Sequence, residues 1–154
     1  MEQSALGVFM RDSNLWTYPF VNLAHILGIA ALFGATLILD LRLLGVWRRI
    51  PLAPLTEVTI PVAKAGFAVA ATTGVGLLAT EATEYADNPY LLIKFAAIAL
   101  GLVNVAVIHR SMAWRARRDR ELSIPENRQL ALMGGISLAC WITAIAAGRL
   151  IAYF

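Results

Sequence analysis

One polar stripe on an otherwise apolar run carries the first hint of chemistry. Asn22, His25, Thr36 and Asp40 lie within PFVNLAHILGIAALFGATLILDLRLLGVW, residues Pro19 to Trp47, at steps of three, eleven and four. Multiples of 3.5 to 3.6 residues return to one helix face, so the four share a side. An imidazole and a carboxylate on the same face suggest metal ligation, proton transfer or hydrogen bonding to a guest. Further ionisable groups stand in other apolar runs: Lys64, Lys94, His109 and Arg149. A charge left alone at the centre of a bilayer costs about 2.5 to 3.5 kcal/mol, so such groups pair with one another or meet a ligand.

The elements that position these residues are membrane helices. The 154 residues are 59% hydrophobic and only 15% charged, and the mean hydropathy is +0.68. A span needs roughly 20 residues at about 1.5 Å each. The continuous apolar runs predict spans at about 19–47, 59–82, 89–110 and 130–152. The fold class is all-α, a single integral membrane four-helix bundle running up, down, up, down. A β-barrel would alternate apolar with polar residues in short segments, and this chain does not.

Between the spans, Pro51 and Pro54 predict a loop, Asn88-Pro89 predicts a helix start, and Ser111 to Leu122 could extend a helix beyond the membrane. Gly66, Ala70, Gly74 and Ala63 are small residues at helical spacing, which suits close helix approach within one bundle or between protomers. The first run is too long for a signal core and is read as a retained span. The lone Cys140 excludes an intrachain disulfide and reads as a packing residue.

Orientation follows from arginine. The first and third loops are basic, while the second holds Glu81, Glu84 and Asp87 with no lysine or arginine. The positive-inside rule puts the basic loops in the cytoplasm and both termini in the periplasm of a bacterial inner membrane. The net charge of +3 therefore reports topology, and no nucleic-acid motif accompanies it.

Depth then sorts the polar residues into two layers. His25 and Lys94 lie roughly 9 and 8 Å from the outer helix ends, and Glu81 with Glu84 and Arg149 complete that level. The inner layer holds Asp40, Lys64, Asn104 and His109, with Asp40 and Lys64 expected to pair. His25 and His109 lie near opposite ends of parallel helices, so they cannot share one iron. If haem binds, each histidine needs another partner: Lys94 or water opposite His25, or Met133 opposite His109. A tetrahedral zinc site is disfavoured, since His25, Glu81 and Glu84 have no ligand-spacing motif.

Two resemblances follow from these residues. AHILGIAALFGATLILDLRLLG and EATEYADNPYLLIKFAAIALGLVN, with Glu81, Tyr85, Asn88, Pro89 and Lys94, resemble a widespread bacterial family of four-span inner-membrane proteins of unknown function. The chain is also distantly similar to small four-helix membrane haem proteins, the protoporphyrinogen-oxidase-like and copper-resistance-like membrane proteins. Those carry a histidine and then a glycine on the first helix, and in the oxidases a lysine early on the third. The matches are His25, Gly34 and Lys94; IPENRQL stands where the oxidases have their characteristic segment entering the fourth helix. The resemblance implies association with b-type haem, not the oxidase activity.

The expected function is haem-linked electron transfer, with His25 as axial ligand, Lys94 and Arg149 receiving propionates or giving the second ligand, and Gly28 and Gly34 making room. A redox partner or larger membrane complex would accompany it. Two alternatives stay open: a cofactor-free membrane subunit or small-solute binding protein whose outer polar layer is a structural salt-bridge network, and a quinone pocket between helices walled by Trp141 and Tyr85.

Overall fold

The computed structural model describes residues 17–80, 88–151 and 153. Four helices are long and apolar enough to cross a membrane: α1 Thr17–Leu43, α2 Leu52–Thr80, α3 Pro89–Arg110 and, after the five-residue α4 Met112–Ala116, α5 Ile124–Leu150. The chain is an all-α, multi-pass integral membrane protein. Large apolar side chains stand outward on every span, among them Phe20, Val58, Leu92 and Leu132. In water such a surface would aggregate; in a bilayer it is the lipid contact.

Neighbouring helices run antiparallel and form two pairs, α1 with α2 and α3 with α5, joined along α1 and α5. Among the described residues, the Cα atoms of α2 and α3 do not come within 8 Å of each other. The first pair is set by glycine. A Cβ on Gly66 would lie 2.5 Å from the Leu32 nitrogen and one on Gly28 would lie 2.8 Å from the Ala70 nitrogen. Backbone meets backbone there, the approach that small residues permit between membrane helices. In the second pair, Asn104 donates from Nδ2 to the Met133 carbonyl at 2.9 Å while buried. Interhelical hydrogen bonds in membranes are modest, so Asn104→Ala is expected to lower stability by about 1 kcal/mol. Unfolding in mixed micelles followed by circular dichroism measures this.

The core closes the end of the bundle that carries the arginines. Leu43, Leu52, Ile108, Ala113, Trp114 and Leu130 pack together there, and α4 forms the lid. Phe67 of α2 and Trp141 of α5 meet edge to face at 6.4 Å across the middle. At the other end a cleft opens between the spans.

Several boundaries depart from the sequence expectation. Helix α1 stops at Leu43 rather than reaching Trp47, because Gly45 (φ +104°) and Trp47 (φ +51°) adopt the left-handed region. Helix α2 starts at Leu52 and includes Pro54, which a first turn tolerates because its missing N–H has no helical partner there; Pro61 also lies within the helix. Helix α5 begins at Ile124, where Glu126 accepts from both the backbone N–H and the hydroxyl of Ser123. Asn88 caps α3 by accepting from the Tyr90 N–H at 2.9 Å. Beyond α3 the helix does not run on to Leu122; only Met112–Ala116 is helical.

Candidate functional site

At the end of the bundle away from the arginine-lined turns, all four spans line one cleft of about 210 Å³. Its polar lining comes from Tyr18, Asn22 and His25 of α1 and Lys94 of α3, and its walls include Leu77 of α2 and Ile151 after α5. His25 and Lys94 are half-buried and close enough to interact through charge. Their common depth, reasoned from helix lengths, is therefore a juxtaposition in space.

Local sequence holds the imidazole in a defined way. Thr73 Oγ1 sits 3.0 Å from His25 Nδ1 and 2.6 Å from the Val69 carbonyl. A hydroxyl has one proton, and the carbonyl can only accept, so Thr73 donates to Val69 and accepts from the Nδ1–H of His25. That fixes the tautomer with the proton on Nδ1 and a lone pair on Nε2. Gly74 makes room for the ring, since a Cβ there would lie 2.9 Å from His25 Cε1. On the other wall the Lys94 stem lies over Gly148, 3.5 Å from where its Cβ would be. The arrangement offers one acceptor on His25 and one cationic donor on Lys94, beside the polar side chains of Tyr18 and Asn22 and the apolar walls.

Other expected members of this layer lie elsewhere. Arg149 turns outward to Tyr153, donating to its hydroxyl at 2.6 Å with the guanidinium 4.8 Å from the ring centroid. Gly28 is pressed against the α2 backbone, so it shapes the helix contact rather than space beside His25. Gly34 faces open space, with nothing within 4 Å of an added Cβ. Glu81, Glu84 and Tyr85 lie outside the described residues.

The inner layer does not form the pair expected of it. Asp40 is 4% exposed and is turned toward Ser137 of α5, whereas Lys64 lies on the exposed face of α2. The cause is helical phase: Lys64 falls two residues from Gly66, which faces α1, and so points away from it. Asp40 Oδ2 is buried without a hydrogen-bond partner. His109 is exposed, bonds back to the Val105 carbonyl at 2.8 Å and lies 5.1 Å from the Trp114 ring. Met133 packs against the core at that end.

Thr73, Gly74, Gly148 and Ser137 were not singled out as site residues from the sequence. The signal for the first two was present, since the small-residue contacts of Gly28 and Gly66 fix an antiparallel register that brings residue 73 opposite residue 25. Among the described residues, no group of three His, Cys, Asp or Glu could hold a metal ion. For haem, His25 and Lys94 are suitable axial donors, but a cleft of about 210 Å³ is smaller than the roughly 300 to 1,000 Å³ of ordinary ligand pockets. A tetrapyrrole does not fit it without a further opening of the helix pairs. Comparison with protein-family models, curated proteins and solved structures gave no match, so the site has to be read from its own geometry.

Proposed function

We propose that this is a bacterial inner-membrane protein, with both termini periplasmic, whose cleft binds the headgroup of a quinone and takes part in electron transfer. The carrying observation is the imidazole tethered by Thr73 beside the Lys94 ammonium, in a cleft the size of one substituted ring. A quinone presents two carbonyl oxygens. The ammonium donates to one and stabilises the negative charge that reduction places there. His25 Nε2, held as an acceptor, receives an O–H of the reduced form. The separation of α2 from α3 supports entry from the lipid phase, where quinones dissolve. A redox partner or a larger membrane complex would complete the electron path.

One observation favours a second reading. An imidazole whose Nδ1–H is held by a protein oxygen is set up as an iron ligand, and Lys94 could supply the opposite axial position or meet a propionate. That reading requires the helix pairs to move apart. It is also where the distant similarity to four-helix membrane haem proteins leads.

A single preparation separates the two. The full chain is expressed with haem supplied, purified in detergent, and its reduced-minus-oxidised spectrum recorded before titration with a short-chain ubiquinone by calorimetry. The quinone reading expects no Soret or α band and saturable binding, weakened about tenfold by Thr73→Val, the factor for one lost hydrogen bond, and further by His25→Ala. A haem spectrum that disappears in His25→Ala replaces it with the second reading. A colourless protein indifferent to quinone rejects both in favour of a cofactor-free subunit.

A further inference from the structure

At the opposite end of the bundle lies a groove of about 1,110 Å³ lined by seven arginines and only two acids, Asp119 and Glu121. Three of the arginines are occupied by the fold. Arg42 donates to the carbonyls of Ile50 and Arg48, at 2.6 and 3.0 Å, and so folds the α1–α2 turn. Arg117 donates to the Trp114 carbonyl and stacks on that ring at 3.9 Å. Arg120 forms two hydrogen bonds with Glu126, at 2.7 and 2.8 Å, the one ion pair among the described residues. The other four, Arg48, Arg49, Arg118 and Arg128, line the groove without an acidic partner among those residues.

We propose that this groove binds a phospholipid headgroup carrying two phosphate groups. The warrant is charge complementarity together with position. Four guanidiniums without an acidic partner among the described residues line it, those of Arg48 and Arg49 from the α1–α2 turn, Arg118 from the α4–α5 segment and Arg128 from the first turns of α5, and each can bind phosphate through two parallel N–H groups. Two guanidiniums per phosphate match a headgroup with two phosphates. The groove lies where spans α1, α2 and α5 end, at headgroup depth, and its walls alternate arginine with Leu44, Leu52 and Ile124. A soluble anion would have no use for such walls; a lipid would lay its glycerol and first methylenes on them. Basic pockets between membrane helices recognise anionic headgroups in this way.

Topology alone asks only for basic loops and not for a shared concavity. Arg110 and Arg115 supply the same charge near the same end but lie outside the groove. The α5 N-terminus is not an alternative anion site, because the Glu126 carboxylate already occupies it. Burial, and next the charge of Arg118, pull the pKa of Arg117 below its ordinary value, a field that a bound anion relieves.

The test uses the full chain in a nonionic detergent, with the unfolding midpoint followed against added short-chain diphosphatidylglycerol, phosphatidylglycerol, phosphatidylcholine or inorganic pyrophosphate. Diphosphatidylglycerol is expected to raise the midpoint saturably and at lower total phosphate than phosphatidylglycerol, with phosphatidylcholine inert. Replacing Arg118 and Arg128 by Gln is expected to weaken that binding about thirtyfold, while Arg110→Gln with Arg115→Gln leaves it unchanged. Pyrophosphate acting at the same concentration as the lipid overturns the lipid assignment. Equal losses in the two double variants, or equal effects of the two anionic lipids per phosphate, overturn the groove. The wild-type comparisons decide even if a variant fails to fold.

Discussion

Gly66→Ala is expected to lower the stability of the bundle by about 3 kcal/mol, the upper part of the usual cost of overpacking. The added methyl would lie 2.5 Å from the Leu32 nitrogen and 2.7 Å from the Gly28 oxygen, and both are backbone atoms of α1. A flexible side chain could swing aside; a helix backbone has to move as a body. The two helices must separate, and the tether between His25 and Thr73 separates with them. The matched control is Gly34→Ala on the same pair, where a methyl meets nothing within 4 Å and alanine is the better helix former. Unfolding midpoints in mixed micelles should fall steeply for the first and stay level or rise slightly for the second. Similar behaviour of the two would mean that α1 and α2 do not pack as described.

Trp141→Ala should be comparably damaging, by about 3 kcal/mol, while Trp141→Phe should cost about 1 kcal/mol. Trp141 is 5% exposed, rests against Gly101 of α3 and meets Phe67 of α2 edge to face. It fills the middle of the molecule between the two helix pairs. In lipid the loss comes from vacated packing rather than from water, which places the expectation at the low end of the range for buried tryptophan. Its Nε1–H has no hydrogen-bond partner, so phenylalanine forfeits no polar interaction. The ratio of the two effects is the informative quantity, again from micellar unfolding. Equal losses would assign the indole nitrogen a role that the structure does not give it.

Much of this fold was legible because membrane helices announce themselves by length and polarity. Asn88 with Pro89 marked the start of α3, and Arg110 its end. The errors cluster where backbone chemistry overrides composition. Apolar Leu44 and Val46 look like helix but lie in the turn shaped by Gly45 and Trp47, and Pro54 looks like a break but fits a first turn. Within the site, depth put His25 and Lys94 together correctly because rise per residue is nearly constant. It said nothing about azimuth, which sends Arg149 to Tyr153 and Lys64 to the exposed face while turning Asp40 inward toward Ser137. Thr73 escaped notice for a related reason. Threonine is ordinary in membrane helices, and only the register set by Gly28 and Gly66 reveals which of two adjacent threonines, Thr72 or Thr73, meets the imidazole.

The division of the spans into two pairs, whose backbones approach each other along α1 and α5, bears on how the molecule is made. Each half is an antiparallel pair with interhelical contacts of its own, at Gly28 and Gly66 in the first and between Asn104 and Met133 in the second. The leading hairpin can settle into the bilayer while the trailing one is still being synthesised, and assembly then reduces to one docking event in the plane of the membrane. The last contacts to form in that order include Phe67 against Trp141 and Lys94 beside His25, so the cleft comes into being only once the two pairs have docked.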